Sequence, residues 1–300
     1  MINMVKIEDT YAEAFEGLYS RLIITAATEK LLCRAAYNST ALPSVVVNRT
    51  EGGVERWLKR KGTPDGRVGA IIQFWGRLDE KDLDRSVETF YKEMSYRIRQ
   101  GILVTPTTAL FDATPNPLGK IDTARRIGHC GDGYEWEEDF KGRCVIRVPL
   151  MMGDFVIEKS LGYGRGVMGG NVWFLCRREK SALEAGYRAL EAVGKIEGVI
   201  TPFDICSAGS KPETKFPEIG PTTNHPYCPS LKGKIPDSVV PEGVKAIPEI
   251  VINGVTLGAV EAAMKAAIKA AKKVRGVVKI SAGNYGGRLG KYKILLGKLV

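Results

Sequence analysis

The sequence predicts an α+β protein of two ferredoxin-like lobes, each a mostly antiparallel sheet with helices packed on one face. Three observations predict it. Branched apolar runs and amphipathic runs follow one another as strand–helix–strand–strand–helix–strand, and that order occurs twice along the chain. Three hundred residues suffice for two domains that each bury a core. The apolar fraction of 44% and charged fraction of 26% are those of a globular chain, which sets disorder aside.

In the first half, Arg21–Ala26 (RLIITA) reads as a strand, and Thr28 is placed to cap a helix running through Tyr37. Ser44–Asn48 and Val68–Phe74 read as strands rich in branched residues. Asp79 opens a helix whose stripe of Leu83, Val87, Phe90, Met94 and Ile98 keeps a 3.6-residue period. Gly101 ends it, and Ile102–Thr105 reads as the last strand.

The second half repeats the order. Asn171–Cys176 is a strand, and Ser181 with Glu184 forms a capping box before a helix that carries Leu183, Tyr187, Leu190 and Val193 on one side. Gly198–Phe203 and Ala246–Ile252 are strands. Thr256 caps a long alanine-rich helix closed by Arg275-Gly276, and Val277–Ser281 follows as a strand. The lobes are expected over residues 1–147 and 148–300. Between elements lie long tracts rich in glycine, proline and charge, at 112–120, 131–142 and 208–242; such connections are uncommon unless they serve a function.

Composition excludes several classes. No apolar run approaches the roughly 18 to 20 residues that cross a bilayer, and MINMVKIEDT lacks a hydrophobic signal segment, so no membrane association and a cytoplasmic location are expected. None of the six cysteines forms a C-x-x-C pair, and neither His129 nor His225 has a partner at ligand spacing, so no metal site is expected. The net charge is +10, and residues 256–300 hold ten Lys or Arg against one acid, Glu261. That segment suits either a polyanionic ligand or a solvated helix face. Lys265, Lys269 and Lys272 lie beside an apolar face of Val260, Met264 and Ile268, as on an ordinary amphipathic helix. With no aromatic RNA-recognition motif in the chain, no nucleic-acid partner is expected. The glycine-rich stretches 162–170 and 283–290 match neither G-x-G-x-x-G nor a Walker A loop; they suit close backbone approach to backbone or to a bound ring.

A few residues stand out chemically. Glu249, in AIPEIVI, shares a strand face with Ile247 and Val251, and an apolar setting disfavours its charged form. It reads as an acid–base group or as a charge guarding an edge strand. Asn171, after two glycines, either donates to a ligand oxygen or caps a turn. Gly131-Asp132-Gly133 reads first as a tight turn. Cys206 and Cys228 serve as nucleophiles only beside a base, which the sequence does not reveal. His129 and His225 read as surface or structural residues.

Several stretches are more specific. IEDTYAEAF (Ile7–Phe15), TPDGR (Thr63–Arg67), TPTTALFDA (Thr105–Ala113), GDGYE (Gly131–Glu135) and GGN (Gly169–Asn171) follow one another in order. ITPF (Ile200–Phe203), EIVING (Glu249–Gly254) and KISAGNYGGRLGKY (Lys279–Tyr292) complete the series. Together they resemble the formylmethanofuran:tetrahydromethanopterin formyltransferases over nearly the whole chain. The resemblance implies direct transfer of a formyl group from methanofuran's amine nitrogen to a ring nitrogen of tetrahydromethanopterin, in a ternary complex without metal or prosthetic group. It implies a homodimer or homotetramer with the active site in a cleft at the subunit interface, and polyanionic carriers that give the basic C-terminal third a purpose. Glu249 matches the catalytic glutamate. With that reaction, Ser210 and Lys211 in the changed loop are expected to contact a carboxylate tail of the donor, the turn carrying Asp132 and Tyr134 to shape a cofactor-facing loop, and Asn171 to donate to a formyl oxygen or to cap its turn.

Two segments depart from the family pattern. After Phe203 the chain reads DICSAGSKPETKF where the family has P-G-G-I-V before Ser-Lys, and ALPSVVVNRTEGG (Ala41–Gly53) replaces F-G-x-S-V-I-x-C-P-A-E-A-G. His129-Cys130 also stands where family members often have phenylalanine before GDGYE, and such changes fall in or beside loops, where ligands bind. They support a second expectation: a paralogue of altered specificity, or a non-catalytic one that binds a pterin-like or methanofuran-like ligand.

Overall fold

A computed structural model describes residues 5–41 and 49–300; the strand expected at Ser44–Asn48 lies outside them. The chain forms two compact units: Gly17–Gly166, and Met1–Glu16 together with Val167–Val300. These bounds differ from the 1–147 and 148–300 expected from the sequence. Lys6–Ile7 and Tyr11–Ala14 pair with the C-terminal part of the chain, and strands Arg143–Leu150 and Gly153–Glu158 extend the sheet of the middle unit.

In the middle unit the neighbouring strands are Thr50–Leu58, Val68–Arg77, residues 17–26 and Ala109–Asp112, each pair antiparallel. Gly153–Glu158 then joins parallel to Ala109–Asp112, followed by Arg143–Leu150 and Trp136–Phe140. Helices Glu29–Thr40 and Leu83–Arg97 bury Leu32, Ala36, Phe90 and Met94 with Leu22, Ile24 and Ile72 of the sheet. The Thr28 hydroxyl accepts from the Leu31 amide, as the sequence predicts.

Two expectations in this unit are corrected. The second helix begins at Leu83 because Asp82, whose carboxylate accepts from the Arg85 amide, is its cap; Asp79 closes a turn on Lys81 instead. Ile102–Thr105 is not a strand. The helix widens into a π-type turn over Ile98–Leu103, and the strand follows at Ala109–Asp112. Gly101 serves helix packing, since a Cβ there would lie 2.6 Å from the Ser39 backbone.

The outer unit repeats the plan. Its neighbouring strands are Val277–Ser281, residues 167–176, Glu249–Gly254 and Val199–Ile200, all antiparallel. Lys6–Ile7 adds in parallel beside Val277–Ser281, and Tyr292–Leu295 pairs with Tyr11–Ala14. Helices Glu179–Val193 and Leu257–Ala271 cover one face, where Phe174, Ile250, Ile252, Val260 and Met264 meet. Thr256 caps the latter as predicted, accepting from the Ala259 amide.

The predicted capping box at Ser181 does not form. The helix starts at Glu179, and the Ser181 hydroxyl, one turn inside, donates to the Arg275 carbonyl. Leu183 and Tyr187 are exposed; the buried face is Ala182, Ala185, Gly186 and Ala189. Small side chains let this helix lie close to its neighbours, and a Cβ at Gly186 would sit 2.4 Å from Ile205. Proline trims both expected strands nearby: Val199–Ile200 stops before Pro202, and Glu249–Gly254 begins after Pro248.

The opposite face of the outer sheet carries Trp173, Leu175 and Glu249. The long 201–248 connection folds over it and packs Tyr227, Val240 and Val244 against the two apolar side chains. A tract that composition marks as loop is therefore one wall of a cavity. Among the described residues no helix is long and apolar enough to cross a membrane.

Candidate active site

The cavity is about 400 Å³ and lies in the outer unit. Trp173 and Glu249 come from two neighbouring strands, Ala182 and Leu183 from helix Glu179–Val193, and Ile205, Tyr227 and Pro229 from the long connection. Its lining is largely apolar, which suits a flat ring or a hydrocarbon arm.

Two carboxyls line it, Glu179 and Glu249, and Glu249 is the buried one, 8% exposed. Trp173 stands opposite it in register, and the indole Nε1–H donates to Glu249 Oε1 at 2.9 Å. Backbone bonds of 2.9 and 2.8 Å tie Cys206 to Glu249, and the Cys206 thiol donates to the same carboxylate. Burial pushes the Glu249 carboxyl above the usual carboxylate range, and the donors from Trp173 and Cys206 only partly oppose it. A carboxyl shifted in this direction holds its proton more firmly than an exposed one, the direction that acid–base work at a nitrogen requires. Ile250 and Ile252 point into the helical core, so alternation sends Glu249 to the cavity side. It is not an edge guard: its strand is paired on both sides.

The remaining candidates are placed as follows. Ser210 and Lys211 do not line the cavity but directly follow Gly209, which does; Ser210 O accepts from the Tyr285 hydroxyl at 2.6 Å, and Lys211 pairs its backbone with Thr222. Asn171 is buried and its amide is spent on backbone. Its Nδ2 donates to the Gly169 and Gly283 carbonyls, and its Oδ1 accepts from the Gly283 amide, so its evident work is to tie two glycine segments together. Asp132 and Tyr134 belong to the middle unit. Asp132 takes a left-handed conformation at the end of a short 3-10 turn, and Tyr134 is exposed. His129 is exposed, and His225 pairs with Asp237 at 2.9 Å.

Trp173, Tyr227 and Tyr285 are missed by sequence reasoning. Trp173 has a usable signal, because a buried indole N–H seeks an acceptor and NVWFLC buries one. Tyr227 stacks edge-on against Trp173 at 4.7 Å, and burial, with the Glu249 charge beside it, pushes the Tyr285 hydroxyl up to about 12. Burial and then the charge of Glu249 push the Cys206 thiol up, which opposes a thiolate nucleophile there. Among the described residues no three His, Cys, Asp or Glu side chains gather as a metal site.

Sequence comparison decides the family. The profile of the formylmethanofuran-tetrahydromethanopterin formyltransferases matches residues 1–150, and that of their proximal lobe matches 153–299. The chain belongs to this formyltransferase family. It is 57% identical, over 100% of its length and 98% of the relative's, to a protein of Archaeoglobus fulgidus named formylmethanofuran–tetrahydromethanopterin formyltransferase-like protein. It is 42% identical, over 99% of both chains, to the formylmethanofuran–tetrahydromethanopterin formyltransferase of Methanothermobacter thermautotrophicus. The solved formyltransferase of Methanosarcina barkeri matches with a TM-score of 0.91 at 40% identity, covering 100% of both chains.

Proposed function

We propose that this formyltransferase moves a formyl group reversibly between methanofuran and tetrahydromethanopterin, with Glu249 as its acid–base group. The observation that carries the reading is a buried carboxyl of raised pKa, held by Trp173 and Cys206 at the base of an apolar cavity. The acceptor's ring nitrogen attacks the formyl carbon, and a tetrahedral carbon forms. The carbon–nitrogen bond to methanofuran then breaks. One proton leaves the attacking nitrogen and one reaches the departing amine; Glu249 serves as the station between them. Ser210 and Lys211 at the rim take the donor's carboxylate tail, and Asp132 and Tyr134 face the pterin carrier. Asn171 acts by holding the glycine segments, its amide being fully engaged.

The repeated strand–helix–strand–strand–helix–strand order supports reading both units as ferredoxin-like lobes. Homodimers or homotetramers with the site at a subunit interface, and a cytoplasmic location, follow from the family expectation. No prosthetic group is needed by this chemistry. Formyl transfer from formylmethanofuran to tetrahydromethanopterin, followed by the pterin's absorbance, tests the proposal: absence of transfer by a folded protein overturns it.

One observation favours a second reading. The relative at 57% identity is named formyltransferase-like, whereas the one named formyltransferase stands at 42%. With the changed 204–216 segment, this supports a paralogue of altered carrier specificity. Binding of either carrier without turnover selects it.

A further inference from the structure

The glycine-rich stretch at 283–290 wraps a carboxylate of the protein itself. Glu13, 4% exposed, accepts from the backbone amides of Tyr285 at 2.8 Å, Gly287 at 2.9 Å and Gly290 at 2.6 Å, and from that of Leu289. Convergent amides of this kind form an anion nest. Gly286 and Gly287 provide consecutive positive φ angles of 70° and 75°, and a Cβ at Gly290 would lie 2.4 Å from the Ala14 carbonyl. Gly286, Gly287 and Gly290 are thus accounted for by the clamp.

The clamped loop in turn grips a second loop. The Tyr285 hydroxyl donates to Ser210 O at 2.6 Å, the Arg288 guanidinium pairs with Glu213, and Arg288 Nε donates back to Tyr285 O. The gripped segment continues from Ala208 and Gly209, which line the cavity over Glu249.

We propose that Glu13 is a positioning residue for substrate binding: its carboxylate fixes residues 284–290, and these fix Ser210–Glu213 at the rim of the Glu249 cavity. The proposal rests on the reading of Ser210 and Lys211 as contacts to the donor's anionic tail. A segment ordered before binding costs less to order on binding, so the clamp acts on donor affinity and not on the chemical step.

Tyr285→Phe and Glu13→Gln test it, with steady-state kinetics on formylmethanofuran and amide hydrogen exchange at Lys211 and Thr222. Tyr285→Phe removes one hydrogen bond and is expected to raise the KM for formylmethanofuran roughly three- to tenfold while kcat changes by less than about twofold. Exchange at Lys211 and Thr222 quickens. Glu13→Gln, which turns an NH2 toward the amide nest, has the larger effect on both. Unchanged exchange in a folded Tyr285→Phe protein, or a fall in kcat at constant KM, overturns the clamp. If Glu13→Gln does not fold, Tyr285→Phe decides alone. If the wild type shows no transfer, the formyltransferase reading fails, and quickened or unchanged exchange still supports or overturns the clamp.

Discussion

Glu249 and Glu13 show opposite uses of a buried carboxyl in one unit. Glu249 has two side-chain donors in an apolar cavity, and burial leaves it above the usual carboxylate range. Burial also pushes Glu13 upward, but four backbone amides outweigh it and hold the carboxyl below that range. Their linkage signs therefore differ. Glu13 contributes stability above its unfolded pKa, and loses it as pH falls through its lower folded value. Glu249 does the reverse: its neutral form is favoured in the fold, so ionisation costs stability as pH rises above the unfolded value. Glu249→Gln is accordingly expected to lower formyl transfer by roughly 10²- to 10⁴-fold. The same variant should gain thermal stability at about pH 7 and gain little at about pH 4, read by calorimetry. A wild-type rate in Glu249→Gln removes it as the acid–base group. In Trp173→Phe, loss of the indole donor lets the pKa of Glu249 climb further. The limb of the pH–rate profile that reports its deprotonation then moves to higher pH; an unmoved limb shows that the indole bond does not tune it.

At the scale of elements, the outer sheet presents one face to helices and the other to a long connection, and the close approaches on the helical side are strict. A Cβ at Gly170 would lie 2.3 Å from Val260 Cγ1, on helix Leu257–Ala271. Gly170→Ala is expected to cost about 1–3 kcal/mol by overpacking, measured by denaturant melts. Thr256→Ala removes the cap of that same helix and should cost about 1 kcal/mol. A neutral Gly170→Ala would mean that the helix yields easily, and the Asn171 ties then would not fix the sheet–helix spacing. Helix Glu179–Val193 shows how an element can carry both core and site. Its alanine and glycine face is buried, while Leu183 on the outer side lines the cavity.

For the whole molecule, charge matters more than any single cation. The net charge is +10, and residues 256–300 hold an excess of nine basic residues. The polyanionic carriers of the proposed function would be drawn to such a segment, and salt would screen the attraction at a Debye length of about 8–10 Å. The KM of both carriers is therefore expected to rise with ionic strength while kcat holds nearly constant. A salt-independent KM would assign those lysines to solvation alone. Light scattering checks the oligomer: a mass of two or four times 32.8 kDa fits the family expectation, and a monomer that turns over carriers would place the complete site within one chain.

Much of the fold is legible in the sequence because local rules carry it. Thr28 and Thr256 cap where hydroxyls before apolar runs should, the stripe from Leu83 to Ile98 is helical, and Val277–Ser281 is a strand with the bounds its branched residues suggest. The face that Glu249 takes is legible by alternation, since Ile250 and Ile252 pack into the helical core and Glu249 lies on the other side of the sheet. What failed was non-local. Ser181 looks like a cap until Arg275 claims its hydroxyl; Leu183 and Tyr187 look like core until Ala182, Ala185 and Gly186 prove able to pack more closely. The division of the chain, the Trp173 bond to Glu249, and the glycine loop closed on Glu13 join residues 76 to 277 positions apart. Periodicity and capping reach only a few residues along the chain. The sequence by itself therefore determined the element order and the family, and it singled out Glu249 as a candidate acid–base group. The tertiary structure alone decided which loops enclose that acid and what holds them, because those contacts depend on which distant strands become neighbours.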